Sequence, residues 1–561
     1  MEMWVKKDRT FFFLSYEGFR KRKAIVGNSV VLTEAQRRGD FSALSTPLAD
    51  PDNPGRTFAG NIIPQQRLSP EAQKLLRFMP LANSSGTLNY TGATVQQANQ
   101  EQGFARVDHS FSNSDRIFVR YGVSDQHIPE LQLNPNFSIV QDIRDQNAVL
   151  NYMHLFGASS INELRVAYNR ANDEFFGPSR ESFSPLRDLG ISGVAEDARL
   201  RGVPTVSIPG LLGINEHFLV PLTQLDWTYS VSENFTLTRG AHTFKAGADL
   251  RKLRLDRFFQ QDNRGSFVFT GTRTGNAIAD FLVGLPTSTS RAVGPGIFNN
   301  IHQTRQGYYG QDDWRVSPKL TLNLGLRYEV MGVPEDADGN LRTFDFNARK
   351  LVPEFGVTRG LFRPDRDNFA PRFGFAYSPF KLAGRQTVVR GGYGIYYNMP
   401  QLQIYTLMGN NPPASLTESF NVAGGQRLTL ANGFPGSGTL PPFPALLPIA
   451  EDFRAAYAQS WAFTIQQEIA QSTVFEIAYV GSKTTGLDQT VTLNMPTPGP
   501  GNSQLRRPMP EIGAIRFFSS DSNATYHGLQ TRFERRFDRG LTLLAAYTWS
   551  KTMDDNFIGS S

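Results

Sequence analysis

Leu320-Thr-Leu-Asn-Leu-Gly-Leu-Arg-Tyr-Glu-Val330 alternates without a break. Leu320, Leu322, Leu324, Leu326, Tyr328 and Val330 fall on one side of an extended chain, and Thr321, Asn323, Gly325, Arg327 and Glu329 on the other. A period of two over about ten residues is the pattern of a tilted strand that crosses a bilayer, with one face toward lipid and the other toward a polar interior. The same pattern recurs. Ile117, Val119, Tyr121 and Val123 alternate with Phe118, Arg120, Gly122 and Ser124. Phe244, Ala246, Ala248 and Leu250 alternate with Lys245, Gly247, Asp249 and Arg251, and Leu541, Leu543, Ala545, Tyr547 and Trp549 form one more such face.

These segments come in pairs around short turns at 112–115, 158–161, 238–241, 316–318, 379–385, 470–472 and 538–540. With 10–19 added, the pattern predicts about 15 strands. Long connections rich in Pro, Gly, Asn and Asp separate the pairs, at 20–103, 125–146, 172–223, 258–304, 331–368, 399–456 and 482–524. Short turns on one side and long loops on the other predict an all-β, antiparallel outer-membrane β-barrel, with periplasmic turns and extracellular loops. The 20–103 connection is expected to be a long extracellular loop.

Composition agrees. The chain of 561 residues carries 43 Phe, 18 Tyr, 5 Trp and 50 Gly, which suits twisted, half-buried strands. No stretch approaches the roughly 20 apolar residues of a membrane helix. There is no Cys, which excludes disulfides, thiolate metal sites and cysteine nucleophiles. A net charge of +6 suits an anionic lipid surface but is too diffuse for nucleic-acid binding.

Two residue sets follow from the alternation. Trp227, Tyr229, Tyr308, Tyr393, Tyr397, Trp461, Tyr547 and Trp549 are expected to form aromatic girdles at the headgroup level. Arg120, Lys245, Asp249, Arg251, Arg327, Glu329, Arg372 and Arg390 are expected to line the lumen, where a solvating salt-bridge lattice is the commoner role for such residues. Lys21-Arg-Lys23 is expected just past the outer end of a strand, in reach of lipopolysaccharide phosphates.

Catalytic signatures do not assemble. The seven His form no HExxH or HxH pair. Asp336-Ala-Asp-Gly-Asn340 has half the spacing of a calcium loop, but position 12 is Asn347 where a bidentate Glu is needed, so a plain Asp-Gly turn is expected. Gly391-Gly-Tyr-Gly394 is followed by no Lys-Ser/Thr and no helix, and there is no GxSxG. No catalytic, cofactor or metal site is expected.

Short motifs along the whole chain resemble the barrel of TonB-dependent receptors, in the Oar-like branch. Lys7-Asp-Arg-Thr-Phe-Phe-Phe-Leu-Ser-Tyr-Glu-Gly-Phe-Arg20 resembles the strand after the plug. Arg38-Gly-Asp-Phe-Ser42, Gly60-Asn-Ile-Ile-Pro64 and Arg67-Leu-Ser-Pro70 resemble the first long loop. Arg106-Val-Asp-His109, Ala279-Asp-Phe-Leu-Val-Gly-Leu-Pro286, Tyr309-Gly-Gln-Asp-Asp-Trp314, Ala370-Pro-Arg-Phe-Gly-Phe375, Gly391-Gly-Tyr-Gly-Ile-Tyr-Tyr397 and Tyr547-Thr-Trp-Ser-Lys551 continue the order. The resemblance implies a barrel of about 22 strands around a plug, coupled to TonB. It also implies a ligand of the siderophore, cobalamin, glycan or peptide class, captured by the loops and passed through the plugged lumen. The N-terminus lacks a secretory signal, no plug or TonB box is recognisable, and no terminal aromatic strand closes the chain. Residues 1–561 are therefore expected to be a partial barrel. The competing expectation is an outer-membrane scaffold or adhesion protein that binds surface partners without transport. In either case the expected setting is the bacterial outer membrane, with its lipid and lipopolysaccharide.

Overall fold

The structure is a computed structural model and describes residues 8–177, 183–194, 198–217, 220–260, 263–293, 297–353, 360–422, 427–435, 444–538 and 541–555. One 17-stranded sheet dominates it. Two of its members, Glu335–Asp336 and Lys381–Leu382, are two residues long. The other 15 make the wall: β1 (Thr10–Ser29), β2 (Tyr90–Ser110), β3 (Asp115–Leu131), β4 (Ser138–Phe156), β5 (Ser160–Phe176), β6 (Leu222–Arg239), β7 (His242–Phe259), β8 (Ile297–Ser317), β9 (Leu320–Met331), β10 (Asp365–Tyr377), β11 (Arg385–Asn398), β12 (Ala456–Ala470), β13 (Thr473–Leu493), β14 (Ile515–Asp538) and β15 (Leu541–Asp554). Each pairs antiparallel with the next in sequence. Among the described residues, β1 pairs only with β2, and β15 only with β14.

Every second connection is short and lies at one end of the sheet; the intervening ones are at the other end. Gly240, at φ 59°, turns the chain between β6 and β7, a backbone region that side-chain-bearing residues rarely adopt.

The long connections are shorter than the sequence pattern implies. β1 runs on to Ser29 and β2 starts at Tyr90, so the 20–103 segment is strand at both ends. Lys21 and Lys23 lie within β1, not past its end. The 125–146 segment is strand except for 132–137, and the 482–524 segment is strand to Leu493 and again from Ile515. These extensions carry Gln96, Gln97, Gln100 and Gln102 on both faces. Where both faces meet water, backbone pairing continues with no apolar alternation to signal it.

The remaining long connections fold into a cap. Its main core brings together Leu32, Phe41, Ile63, Leu75, Ile191, Ile214, Phe267, Phe281 and Leu430, all buried. Three short helices shape it: α1 (Glu34–Arg37), α2 (Pro70–Leu75) and α3 (Ala277–Leu282). Each has a side-chain N-cap. Thr33 and Gln36 form a reciprocal capping box, Ser69 caps Ala72, and Asn276 caps Ile278 and Ala279. A four-stranded sheet, Leu416–Asn421, Ser288–Val293, Ser266–Val268 and Thr205–Ser207 in that order, backs the core. A second core packs Phe362, Tyr405, Met408 and Phe453 against Leu255, Ile301 and Met331 at the upper ends of β7, β8 and β9.

Candidate functional site: the polar face of the wall and the loop cap

Strand register assigns each side chain to a face. In β9, Arg327 lies opposite Tyr309 and Ala370, and Glu329 opposite Gly307 and Asn368. Arg372 lies opposite Gly325 and Gly394, and Arg390 opposite Ala376 and Thr464. Lys245 faces Gln311, Asp249 faces Gly307, and Arg251 faces Arg305. Arg120 lies opposite Arg106 and Val149. Directly opposed residues share a face, and i, i+2 residues of one strand do too. Followed from strand to strand, the register brings all eight polar residues to one face.

The eight aromatics fall on the other face. Trp227 lies opposite Arg170 and Arg254, and Tyr229 opposite Tyr168 and Lys252. Tyr308 pairs with Ala248 and Tyr328. Tyr393 lies opposite Phe373 and Trp461, Tyr397 opposite Tyr457, Tyr547 opposite Thr531, and Trp549 opposite Leu529. Tyr229, Tyr308, Tyr393, Trp461 and Trp549 all sit about ten residues from the short turn of their hairpin, one membrane thickness along a tilted strand.

On the polar face, five of the eight residues are tied into ion pairs. Lys245 Nζ donates to Asp313 at 2.8 Å, and Asp313 also accepts from Gln311 at 2.8 Å and Asn323 at 2.7 Å. Arg251 pairs with Asp249 at 2.6 Å, and Arg327 Nε donates to Glu329 at 2.6 Å. Glycine seats these groups. A Cβ at Gly307 would stand 2.3 Å from an Arg327 guanidinium nitrogen, and one at Gly247 would stand 2.6 Å from the Tyr309 ring. Among the described residues, Arg120, Arg372 and Arg390 carry no carboxylate partner; Arg372 instead lies 4.5 Å over the Tyr396 ring. The face is thus mostly a lattice that solvates itself, with three arginines outside it.

The cap brings together motifs that are far apart in sequence. Ser69 N–H donates to Leu282 C=O at 2.8 Å, and Ala49 N–H to Thr274 C=O at 2.9 Å. Gly284 is at φ 72°, and a Cβ there would stand 2.6 Å from Ser69 Cβ. Asp280 accepts from the Thr274 hydroxyl at 2.7 Å and from the backbone of Arg273 and Thr274, while burial pushes its carboxyl above the usual range. Asp50 is held well below that range, first by Arg67 and then by Asn53. Arg67 reaches Asp50 at 2.8 Å and Asp52 at 2.5 Å, and lies over Phe58.

A cavity of about 470 Å³ opens where the cap meets the wall, lined by Asn134, Phe137, Leu212, His217, Asn263 and Arg264 among others. Arg264 and Glu216 form an almost fully buried ion pair at 3.0 Å beside it. Burial lowers the Arg264 guanidinium from its ordinary value, and Glu216 partly restores it. No sequence signal marked this pair, because its partners stand on different connections.

The Asp336 turn is closed on itself. Its carboxylate accepts from the backbone N–H groups of Asn300 at 3.0 Å, Asn340 at 2.7 Å and Leu341 at 3.1 Å. Among the described residues, no group of three His, Asp or Glu side chains could hold a metal ion.

Residues 5–561 match the family described as outer membrane beta barrel domain. The chain belongs to this family: it is a β-barrel protein of the bacterial outer membrane. No curated protein matches it. Among solved structures it is similar to the outer membrane transporter YddB of Escherichia coli, with 12% identity, a TM-score of 0.49, and coverage of 82% of this chain and 49% of that one. For the alcaligin outer membrane receptor FauA of Bordetella pertussis the values are 11%, 0.41, 83% and 55%. For the siderophore receptor PirA of Pseudomonas aeruginosa they are 10%, 0.43, 83% and 60%. The chain spans roughly half the length of these three structures.

Proposed function

We propose that this chain forms the barrel wall and surface cap of a TonB-dependent-type receptor. The cap captures a ligand, and the polar face lines the lumen through which it passes, around a plug. The eight aromatics face lipid as girdles. The observation that carries this reading is the segregation of the molecule's parts. The ion-pair lattice lies on one face and the eight named aromatics on the other, and the longer connections fold at one end against the top of the polar face. A barrel that only anchored a surface protein would need no such built mouth. The ordered motifs quoted above support the Oar-like branch.

The test is ligand uptake in cells that carry the gene in its natural context. Replacing 33–79 with a short Gly-Ser linker should abolish surface binding of the ligand, while heat-modifiable gel migration still reports a folded barrel. Loss of TonB should abolish uptake but leave surface binding intact. Binding with no TonB-dependent uptake of any ligand class would overturn transport in favour of a surface scaffold.

A further inference from the structure

The apolar face carries a groove of about 620 Å³, at the level where the strands leave the apolar band toward the long connections. Leu150, Val166, Val231 and Leu250 form its lower wall, and Tyr168 and Tyr229 its upper one. The two tyrosine rings stand 5.2 Å apart. Ala148, opposite Tyr168, keeps the floor low.

Cations sit at the groove's upper rim. Lys252 lines the groove and lies opposite Tyr229. One ladder step higher, Arg170, Trp227 and Arg254 stand side by side on β5, β6 and β7. Two residues along a strand is about 7 Å, so acyl-sized space and fixed positive charge are separated by roughly the distance from a lipid's first methylenes to its phosphate. Arg254 lies 4.8 Å over the Trp227 ring and is neutralised by Asp256 at 2.6 Å. Arg170 donates to the side-chain amide oxygen Oε1 of Gln146 at 3.2 Å. Among the described residues, neither Arg170 nor Lys252 has a carboxylate partner. Val330 and Ile395, on the same face of β9 and β11, offer no cation, whereas Lys483, opposite Gln459, and Lys551, opposite His527, carry single cations at this level of β13 and β15.

We propose that this groove is a binding site for a phosphorylated, acylated glycolipid of the lipid A class. One acyl chain lies between Leu250 and Tyr168, and one phosphate bridges Lys252 and Arg170. Charge complementarity selects the phosphate. The position at the long-connection end selects the cell-surface leaflet, where phosphate and sugar occur in one headgroup. The site requires the apolar face to meet lipid, but it does not depend on transport through the lumen.

The test is native mass spectrometry of the full chain in nanodiscs loaded with bisphosphorylated lipid A, dephosphorylated lipid A or phosphatidylglycerol. Bisphosphorylated lipid A should survive activation on the wild-type chain, and the other two should be lost. Each charge removed, by Lys252→Ala or Arg170→Ala, should lower retention about fivefold. Lys252→Arg should preserve it. Ala148→Phe, which fills the floor without touching charge, should lower retention as well, and if that variant fails to fold the charge variants decide alone. Equal retention of phosphatidylglycerol, or unchanged retention in the double charge variant, would overturn the proposal.

Discussion

Gly481 sets the position of Trp461. A Cβ at Gly481 would stand 2.5 Å from the indole ring, which is too large and stiff to yield without leaving its place on the apolar face. Gly481→Ala should therefore cost about 1–3 kcal/mol, as overpacking does elsewhere, and should lower the temperature at which the folded band is lost on gels. Asp50 is a second decisive residue. Its carboxyl is depressed in the folded chain, so its contribution is present above its unfolded value of about 3.9 and is lost as pH falls further. Between pH 6 and pH 3, the wild-type cap should lose more thermal stability than the Asp50→Asn cap; equal losses would refute the assignment. Facial assignments at this scale were legible in sequence, because a period of two leaves no choice once one strand is fixed. The Asp50–Arg67 clasp and the Arg264–Glu216 pair were not, because nothing local marks residues that meet only after the connections fold.

α3 anchors the cap. Phe281 is fully buried and meets Phe269 edge-on at 5.4 Å between ring centres. Phe281→Ala should cost about 3–5 kcal/mol. Hydrogen exchange should show that cost as faster exchange across 30–89 and 263–293, with β7 to β12 still protected. If protection fell everywhere at once, cap and wall would be one cooperative unit. The hairpins could be read from sequence because a short turn and two alternating flanks are local signals. The cap could not be read that way: its helices are four to six residues long and make sense only through their caps and the core they share. The pairing beyond the apolar band was also hidden, since strands wet on both faces need no hydrophobic rhythm.

For the molecule as a whole, stability rests on keeping the two faces apart. Leu326 lies on the apolar face about seven residues from its turn, near mid-membrane, and Arg327 lies next to it on the polar face. Leu326→Arg should cost about 2–4 kcal/mol and reduce the fraction of heat-modifiable protein recovered from membranes. A charge added on the polar face, Thr321→Arg, should leave that fraction nearly unchanged. One dimension of the wall has a consequence of another kind. β2 and β13 are 21 residues long and β14 is 24, whereas crossing the bilayer takes about 9–11. At about 3.3 Å per residue and a tilt near 40°, the surplus of about ten residues raises the cap on the order of 25 Å above the lipid. In the proposed orientation, with the long connections outside the cell, the cap stands clear of the lipid, among the surface sugars. Antibodies raised against 30–89 should then label intact bacteria; labelling only of permeabilised cells would place the cap on the periplasmic side.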